Sequence, residues 1–228
     1  MADGAMTVGE AVRSRRSVRA FLPDPVNGDL LRDAVAQAAR SPSGGNLQPW
    51  HLYLLGGAEL DRLKALTTER LAASPKGELM EYDIYPKDLA HPYEGRRAEV
   101  GEALYGHLGI DRGDRAARRA QFAANFRFFD APVGGFLYVH RGMGPPQWAD
   151  CGMFLQTLLL LLRERGLDSC AQEAWAMFPR TVGEFLGAPA DLMLWTGLAI
   201  GRADPDAPAN RLVAKRAAVE DFAEFRGV

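Results

Sequence analysis

Pro42-Ser43-Gly44-Gly45-Asn46-Leu47-Gln48-Pro49-Trp50 is the segment on which the reading of this chain turns. Its prolines and paired glycines mark a loop. The glycines also let a backbone approach a ligand closely, and Ser43, Asn46 and Gln48 offer polar contacts. The loop joins two elements of different period. Upstream, Asn27 is placed to cap a helix in which Leu30, Leu31, Ala34, Val35 and Ala38 recur at helical spacing. That helix is expected to stop near Arg40, because Ser41 precedes a proline and is biased away from the helical region. Downstream, His51 to Leu55 reads as a strand ended by Gly56-Gly57. A helix over Ala58 to Ala73 follows, striped by Leu60, Leu63, Leu66 and Leu71.

Working outward, Thr7-Val8-Gly9-Glu10 has the form of a capping box and predicts a short first helix. Residues 74–95, with Pro75, Pro86 and Pro92, read as an irregular insertion, and Arg96 to Leu108 and Asp114 to Phe128 as two arginine-rich helices. Pro132 to His140 is strand-like, and Gln147 to Arg165 is a long core helix. Asp168 to Ala174 reads as a short extended segment. Pro179 to Leu186 is a helix with Pro179 in its first turn and Gly187 at its C′ position. Asp191 to Ile200 is an apolar strand, and a polar tail begins at Gly201. The class is α+β, with helices packed around one sheet. No repeat or low-complexity linker divides the chain, so residues 1–228 are taken as one domain. Residues 74–128 form an irregular plus helical insertion within it, and 201–228 a C-terminal extension.

The composition sets limits on function. With 47% hydrophobic and 25% charged residues and a net charge of −2 over 228 residues, the chain has the makeup of a folded domain. Disorder as the main state is excluded, as is a dedicated nucleic-acid binder, whose footprint is strongly basic. Two cysteines, Cys151 and Cys170, make neither a disulfide framework nor a four-ligand zinc site. Met1 to Glu10 lacks the apolar core of a signal peptide. Cys151 to Leu162 is too short to span a bilayer and is followed directly by Arg163. The expectation is a soluble, cytoplasmic protein without a membrane or nucleic-acid partner.

The signatures of dinucleotide, phosphate-loop, zinc-protease and serine-hydrolase sites are absent. The four histidines, His51, His91, His107 and His140, are scattered. An enzyme built from this chain would therefore take its reactivity from a cofactor. Arg13-Ser14-Arg15-Arg16-Ser17-Val18-Arg19 stands at the end of the first predicted helix. It reads either as basic residues complementing a helix C-terminus or as a phosphate clamp, with guanidinium forks and a serine hydroxyl. In the tail, Lys215 and Arg216 are either a solvated basic patch or a second phosphate contact.

Taken together, these segments resemble the FMN-dependent nitroreductase family from Ala11 to Gly227. Arg15-Arg16-Ser17-Val18-Arg19-Ala20-Phe21 is similar to its N-terminal R-[RH]-S-x-[RK]-x-[FY] motif. Pro42 to Trp50 is similar to its PSxxNxQPW segment, the most specific of the signals. Asp168 to Ala174 occupies the position of its mid-chain flavin-contact segment, with Ala171 and Ala174 where members often have proline and glycine. Asn210 to Arg216 resembles its N-x-L-x-x-x-R. The insertion and Gln147-Trp148 look closest to members acting on nitrobenzoate-type compounds.

The resemblance implies a nitroreductase-like fold with a mostly antiparallel central sheet. It also implies a homodimer whose C-terminal tail extends over the partner, with flavin sites built from both chains. Arg15, Ser17 and Arg216 would hold the FMN phosphate and ribityl chain, with Arg16 adding contacts and Arg19 near the N1/O2 edge of the ring. Pro42, Ser43, Gly44 and Asn46 would come from the partner. The backbone of Gln172, Glu173 and Ala174 would address the N5/O4 edge. NADPH or NADH would supply electrons and a nitroaromatic would accept them in the same place, which implies ping-pong kinetics and no catalytic acid or base. Quinone reduction, dehalogenation and flavin breakdown stay open on this scaffold, as does a non-catalytic dimeric binding module. Residues 96–127 carry seven arginines against four acids. They read either as a substrate lid or as solvated helices with aromatic faces in the core.

Overall fold

A computed structural model describes residues 6–228. In chain order it contains α1 (Val8–Ser14), α2 (Gly28–Ala38), β1 (Trp50–Gly56), α3 (Gly57–Ala73), α4 (Tyr93–His107) and α5 (Arg115–Ala123). These are followed by β2 (Val133–His140), α6 (Pro145–Glu164), β3 (Asp168–Gln172), α7 (Pro179–Leu186) and β4 (Leu192–Gly201), with short 3-10 turns between. The strands form one antiparallel sheet in the order β1-β2-β4-β3.

The two central strands are buried along nearly their whole length because both their faces are covered. Along β2, Phe136 and Tyr138 enter one core while Leu137 and Val139 enter the other, the period-2 alternation of a pleated strand. On the first face, α3, α7 and a 3-10 turn at Ala124–Asp130 bring Leu60, Leu63, Phe126, Phe128 and Phe178 around the fully buried Trp175. On the second, α2 and α6 contribute Leu31, Ala34, Phe154, Leu158 and Leu162. Gly197 in β4 is obligatory, since a Cβ there would lie 2.0 Å from Cδ1 of Trp175.

Local signals account for the helix starts. Thr7 and Glu10 close both halves of the capping box, and Asn27 accepts from Asp29 N at 2.8 Å. Helix α7 draws its cap from far away. The Glu78 carboxylate accepts from Arg180 N at 2.9 Å and Thr181 N at 3.1 Å, which fixes the start of the insertion against α7.

Several expected boundaries move. The helix expected to reach Phe128 ends at Ala123 and passes into the 3-10 turn Ala124–Asp130, where Phe128, Phe129 and Asp130 adopt φ of 56°, 53° and 63°. Left-handed backbone costs about 1–2 kcal/mol per residue; here it is offset by complete or near-complete burial of both phenylalanines. The extended segment expected to Ala174 stops at Gln172, where Glu173 opens a 3-10 turn that delivers Trp175 to the core. Helix α4 begins at Tyr93 rather than Arg96, and α6 at Pro145. No residue of α4 or α5 is buried within the chain. Among the described residues no helix is long and apolar enough to cross a membrane.

Candidate active site

The first site element is the turn that leaves α1. Ser17 bridges to Ser169 of β3, and Val18 N donates to Ser169 O at 3.1 Å, so the arginine-rich segment runs beside the sheet edge. The tail is drawn to the same place by Asn210. Its Oδ1 accepts from Arg19 N at 2.8 Å, and its Nδ2 donates to the carbonyls of Ala20 and Asp204. Asn210 is thus a structural clasp, and it sets Arg216 opposite Arg15 and Ser17.

Between these segments lies a cavity of about 450 Å³ lined by Val12, Arg13, Arg15, Arg16, Ser17, Arg19, Val100, Leu212, Val213, Ala214 and Arg216. Five of these residues are arginines and none is an acid. Arginines crowded without counter-charge create a strong positive potential, and their planar forks match a phosphate. Arg216 Nη1 is within 3.0 Å of the carbonyl oxygens of Ala214 and Lys215, folded onto its own backbone. Lys215 pairs with Glu99 of α4.

A second cavity, of about 290 Å³, shares Arg19 with the first. Its floor is Cys170, Ala171, Gln172, Glu173 and Ala174, and its other wall is Ile84, Tyr85, Phe122 and Asn125 from the insertion. The side chain of Gln172 is committed elsewhere. Its Nε2 donates to Asn125 O and Oδ1 at 2.9 and 3.2 Å, and its Oε1 is sealed from solvent without a partner. What Gln172 offers a ligand is therefore its backbone. Glu173 is open to the cavity, yet the surrounding wall desolvates its carboxyl and raises its pKa above the ordinary carboxylate value. Burial likewise raises the pKa of the Cys170 thiol, against the lowering influence of Arg19 and Arg15.

The Pro42–Asn46 segment lines neither cavity. It forms an exposed turn over the start of α6, where Gly44 N donates to the buried Asp150 carboxylate at 3.2 Å and Ser43 Oγ accepts from Gln48 N at 3.0 Å. Near the far end of α6, Arg163 Nε donates to Ser14 Oγ at 3.1 Å. Thirteen residues separate Asp150 from Arg163, about 20 Å of helix. The structure thus joins Arg15, Arg16, Ser17, Arg19, Arg216 and the 172–174 backbone, and leaves Pro42, Ser43, Gly44 and Asn46 apart from them within one chain.

Arg13, part of the arginine run already read as a clamp, joins the lining, and Phe122 and Asn125 of the 96–127 segment stand in the wall of the second cavity. Sequence reading missed the Asp150 anchor and the contribution of Ile84 and Tyr85, which become neighbours of the site only on folding.

Comparison with known proteins adds three relatives and a family. Residues 12–202 match the family model described as "Nitroreductase family". A 4-nitrobenzoate reductase of Pseudomonas putida is 36% identical over 219 residues, covering 95% of this chain and 94% of that protein. A nitrobenzene nitroreductase of Ectopseudomonas oleovorans is 34% identical over 222 residues, covering 96% of each. The crystal structure of the FMN and NADPH-dependent nitroreductase NfnB from sphigopyxis sp. strain HMH superposes with a TM-score of 0.95 at 48% identity, covering 98% of this chain and 100% of that one.

Proposed function

Given that the chain belongs to the nitroreductase family, we propose that it is a cytoplasmic, FMN-dependent oxidoreductase that uses NADPH or NADH to reduce nitroaromatic compounds. The observation that carries this reading is the cavity bounded by five arginines and no acid, which shares Arg19 with a second cavity over β3. The first suits a phosphomonoester and the second a flat ring, which together are the parts of a mononucleotide.

On this reading Arg15, Arg16, Ser17 and Arg216, joined by Arg13, hold the phosphate and ribityl chain. Arg19, at the junction of the cavities, places its charge near the ring edge on which reduction deposits negative charge. The backbone from Gln172 to Ala174 addresses the opposite edge. FMN held there would supply two-electron, hydride-level chemistry between a nicotinamide and a nitro group. The chain itself binds, orients and excludes water. Ile84, Tyr85 and Phe122 form an apolar wall facing Glu173 and Ala174, against which an aromatic ring packs. Donor and acceptor using one place in turn is the basis of the ping-pong kinetics of this reading.

The protein works as a homodimer. Pro42, Ser43, Gly44 and Asn46 are too far along α6 to serve their own chain's cavities and complete those of the partner. Exposed Val8, Val12, Leu47, Met153, Phe222 and Phe225 supply apolar surface for the contact, with residues 201–228 extending over the second subunit. An obligate dimer of this kind has no stable active monomer.

The test is direct. The purified protein is expected to be yellow and to release FMN, near one per chain, and NADPH or NADH oxidation is expected to follow addition of a nitroarene. Release of FAD, or no flavin after reconstitution, overturns the reading.

A further inference from the structure

The relatives divide between a neutral substrate, nitrobenzene, and a charged one, 4-nitrobenzoate, at 34% and 36% identity. Overall similarity therefore does not choose between them. A residue stacked on the cavity wall does.

Of the seven arginines between residues 96 and 127, two are engaged with acids. Arg118 makes a bidentate pair with Glu102 at 2.8 and 2.9 Å and lies over the Tyr105 ring, and Arg127 pairs with Asp130 at 3.4 Å. Arg97, on α4, stacks on Tyr85 with its guanidinium carbon 4.2 Å from the ring centroid. Among the described residues it makes no ion pair, and Tyr85 is itself part of the wall of the 290 Å³ cavity. A cation on an aromatic face is held in place without being neutralised, so its charge remains available to whatever touches Tyr85.

The charged residues that line this cavity are Arg19 and Glu173, and Arg97 acts on it through Tyr85. Arg19 adds to the positive field. Glu173 is the one acid among the lining residues, its carboxyl pKa raised by desolvation.

We infer that Arg97, stacked on Tyr85, selects nitroaromatic substrates whose ring carries a negatively charged group, a carboxylate above all. The inference rests on the proposed nitroreductase activity and names its substrate class. A ring packed on Tyr85 brings a carboxylate to about 8 Å from the guanidinium, one aromatic contact beyond the observed stacking distance. Coulombic attraction at that range, with an effective dielectric constant between 20 and 80, corresponds to about a two- to thirtyfold preference.

The experiment uses the FMN-loaded dimer and two readouts. In the first, benzoate and neutral benzamide, neither reducible here, are titrated into the oxidised enzyme and followed in the visible flavin spectrum. In the second, kcat/KM is measured for 4-nitrobenzoate and 4-nitrobenzamide. Wild type is expected to favour the carboxylate in both, by more at low salt than at high salt. Arg97→Gln is expected to bring both ratios close to one. Arg115→Gln removes the same charge from α5 two turns before Phe122, about 10 Å along the helix, and is expected to leave both ratios near wild type. Equal binding of benzoate and benzamide by wild type overturns the inference. So does a preference that survives Arg97→Gln, or an Arg97→Gln effect confined to the KM for NADPH. A benzoate preference that depends on Arg97, in an enzyme that reduces neither nitro compound, would leave the anion site standing and refute the activity instead.

Discussion

Asp150 offers the sharpest test of how the two chains share a site. Its carboxylate, 6% exposed, accepts from Gly44 N at 3.2 Å and so fixes the turn carrying Pro42, Ser43, Gly44 and Asn46. A hydrogen bond to a charged group is worth about 1.5–3 kcal/mol. Asp150→Ala should therefore release the turn and weaken FMN binding by roughly ten- to a hundredfold, and Asp150→Asn, which keeps an acceptor, by less. The assay that reads the geometry is complementation. Asp150→Ala damages the turn a subunit lends, and Arg216→Ala damages the clamp it keeps. If each turn serves the partner, a mixed dimer combines one intact site with one doubly damaged site. Random reassortment of equal amounts then restores about a quarter of all sites to tight binding, as follows from a two-fold dimer. Flavin titration of the reassorted mixture, beside each parent alone, counts those sites. If mixing restores none while sedimentation shows mixed dimers forming, each turn serves its own chain and the shared-site reasoning is wrong.

Three further outcomes are expected. Arg216→Ala alone should weaken FMN binding about ten- to a hundredfold; unchanged affinity in a flavin titration would return Arg216 to a solvated tail. Gly197→Ala should destabilise the fold by about 3 kcal/mol or more in denaturant unfolding, because the methyl enters the buried Trp175 ring at 2.0 Å, and a wild-type midpoint would contradict the packing. Glu173 has its pKa raised by desolvation, so the folded chain holds that proton more tightly than the unfolded chain does. Its favourable contribution is full below the unfolded pKa and is lost as pH rises through the folded value. The flavin-free Glu173→Gln protein should thus melt above wild type at about pH 8 and together with it near pH 3.5, and a constant difference across that range would show that the carboxyl is not desolvated.

Much of the fold was legible because its signals are local. The capping box at Thr7, the Asn27 cap and the span Pro179–Leu186 with Gly187 behind it depend on residues within a few positions of one another. The apolar runs of β2 and β4 marked strands buried on both faces. The boundaries that moved did so where burial overrode local preference. Asp114 to Phe128 carries a helical pattern, but Phe128 and Phe129 turn into the core around Trp175. The Asp168 to Ala174 segment turns at Glu173 for the same reason, to bury Trp175.

The candidate site divides along the same line. Part of its chemical character was already present in the chain: by residue type the arginine run from Arg13 to Arg19, with Ser17 and Arg216, was open to a phosphate, and the family resemblance of Pro42 to Trp50 added the flavin. Which of them meet was decided by tertiary structure. Asn210 brings the tail to Arg19 across 191 positions, and Glu78 docks the insertion on α7 across 102 and 103. Through that docking Tyr85, with Arg97 on its ring, stands across from Glu173. The length of α6 keeps Gly44 away from its own chain's arginines. Residue type sets what a side chain can bind, but contacts between distant positions depend on how helices and strands pack, and no local pattern encodes that distance.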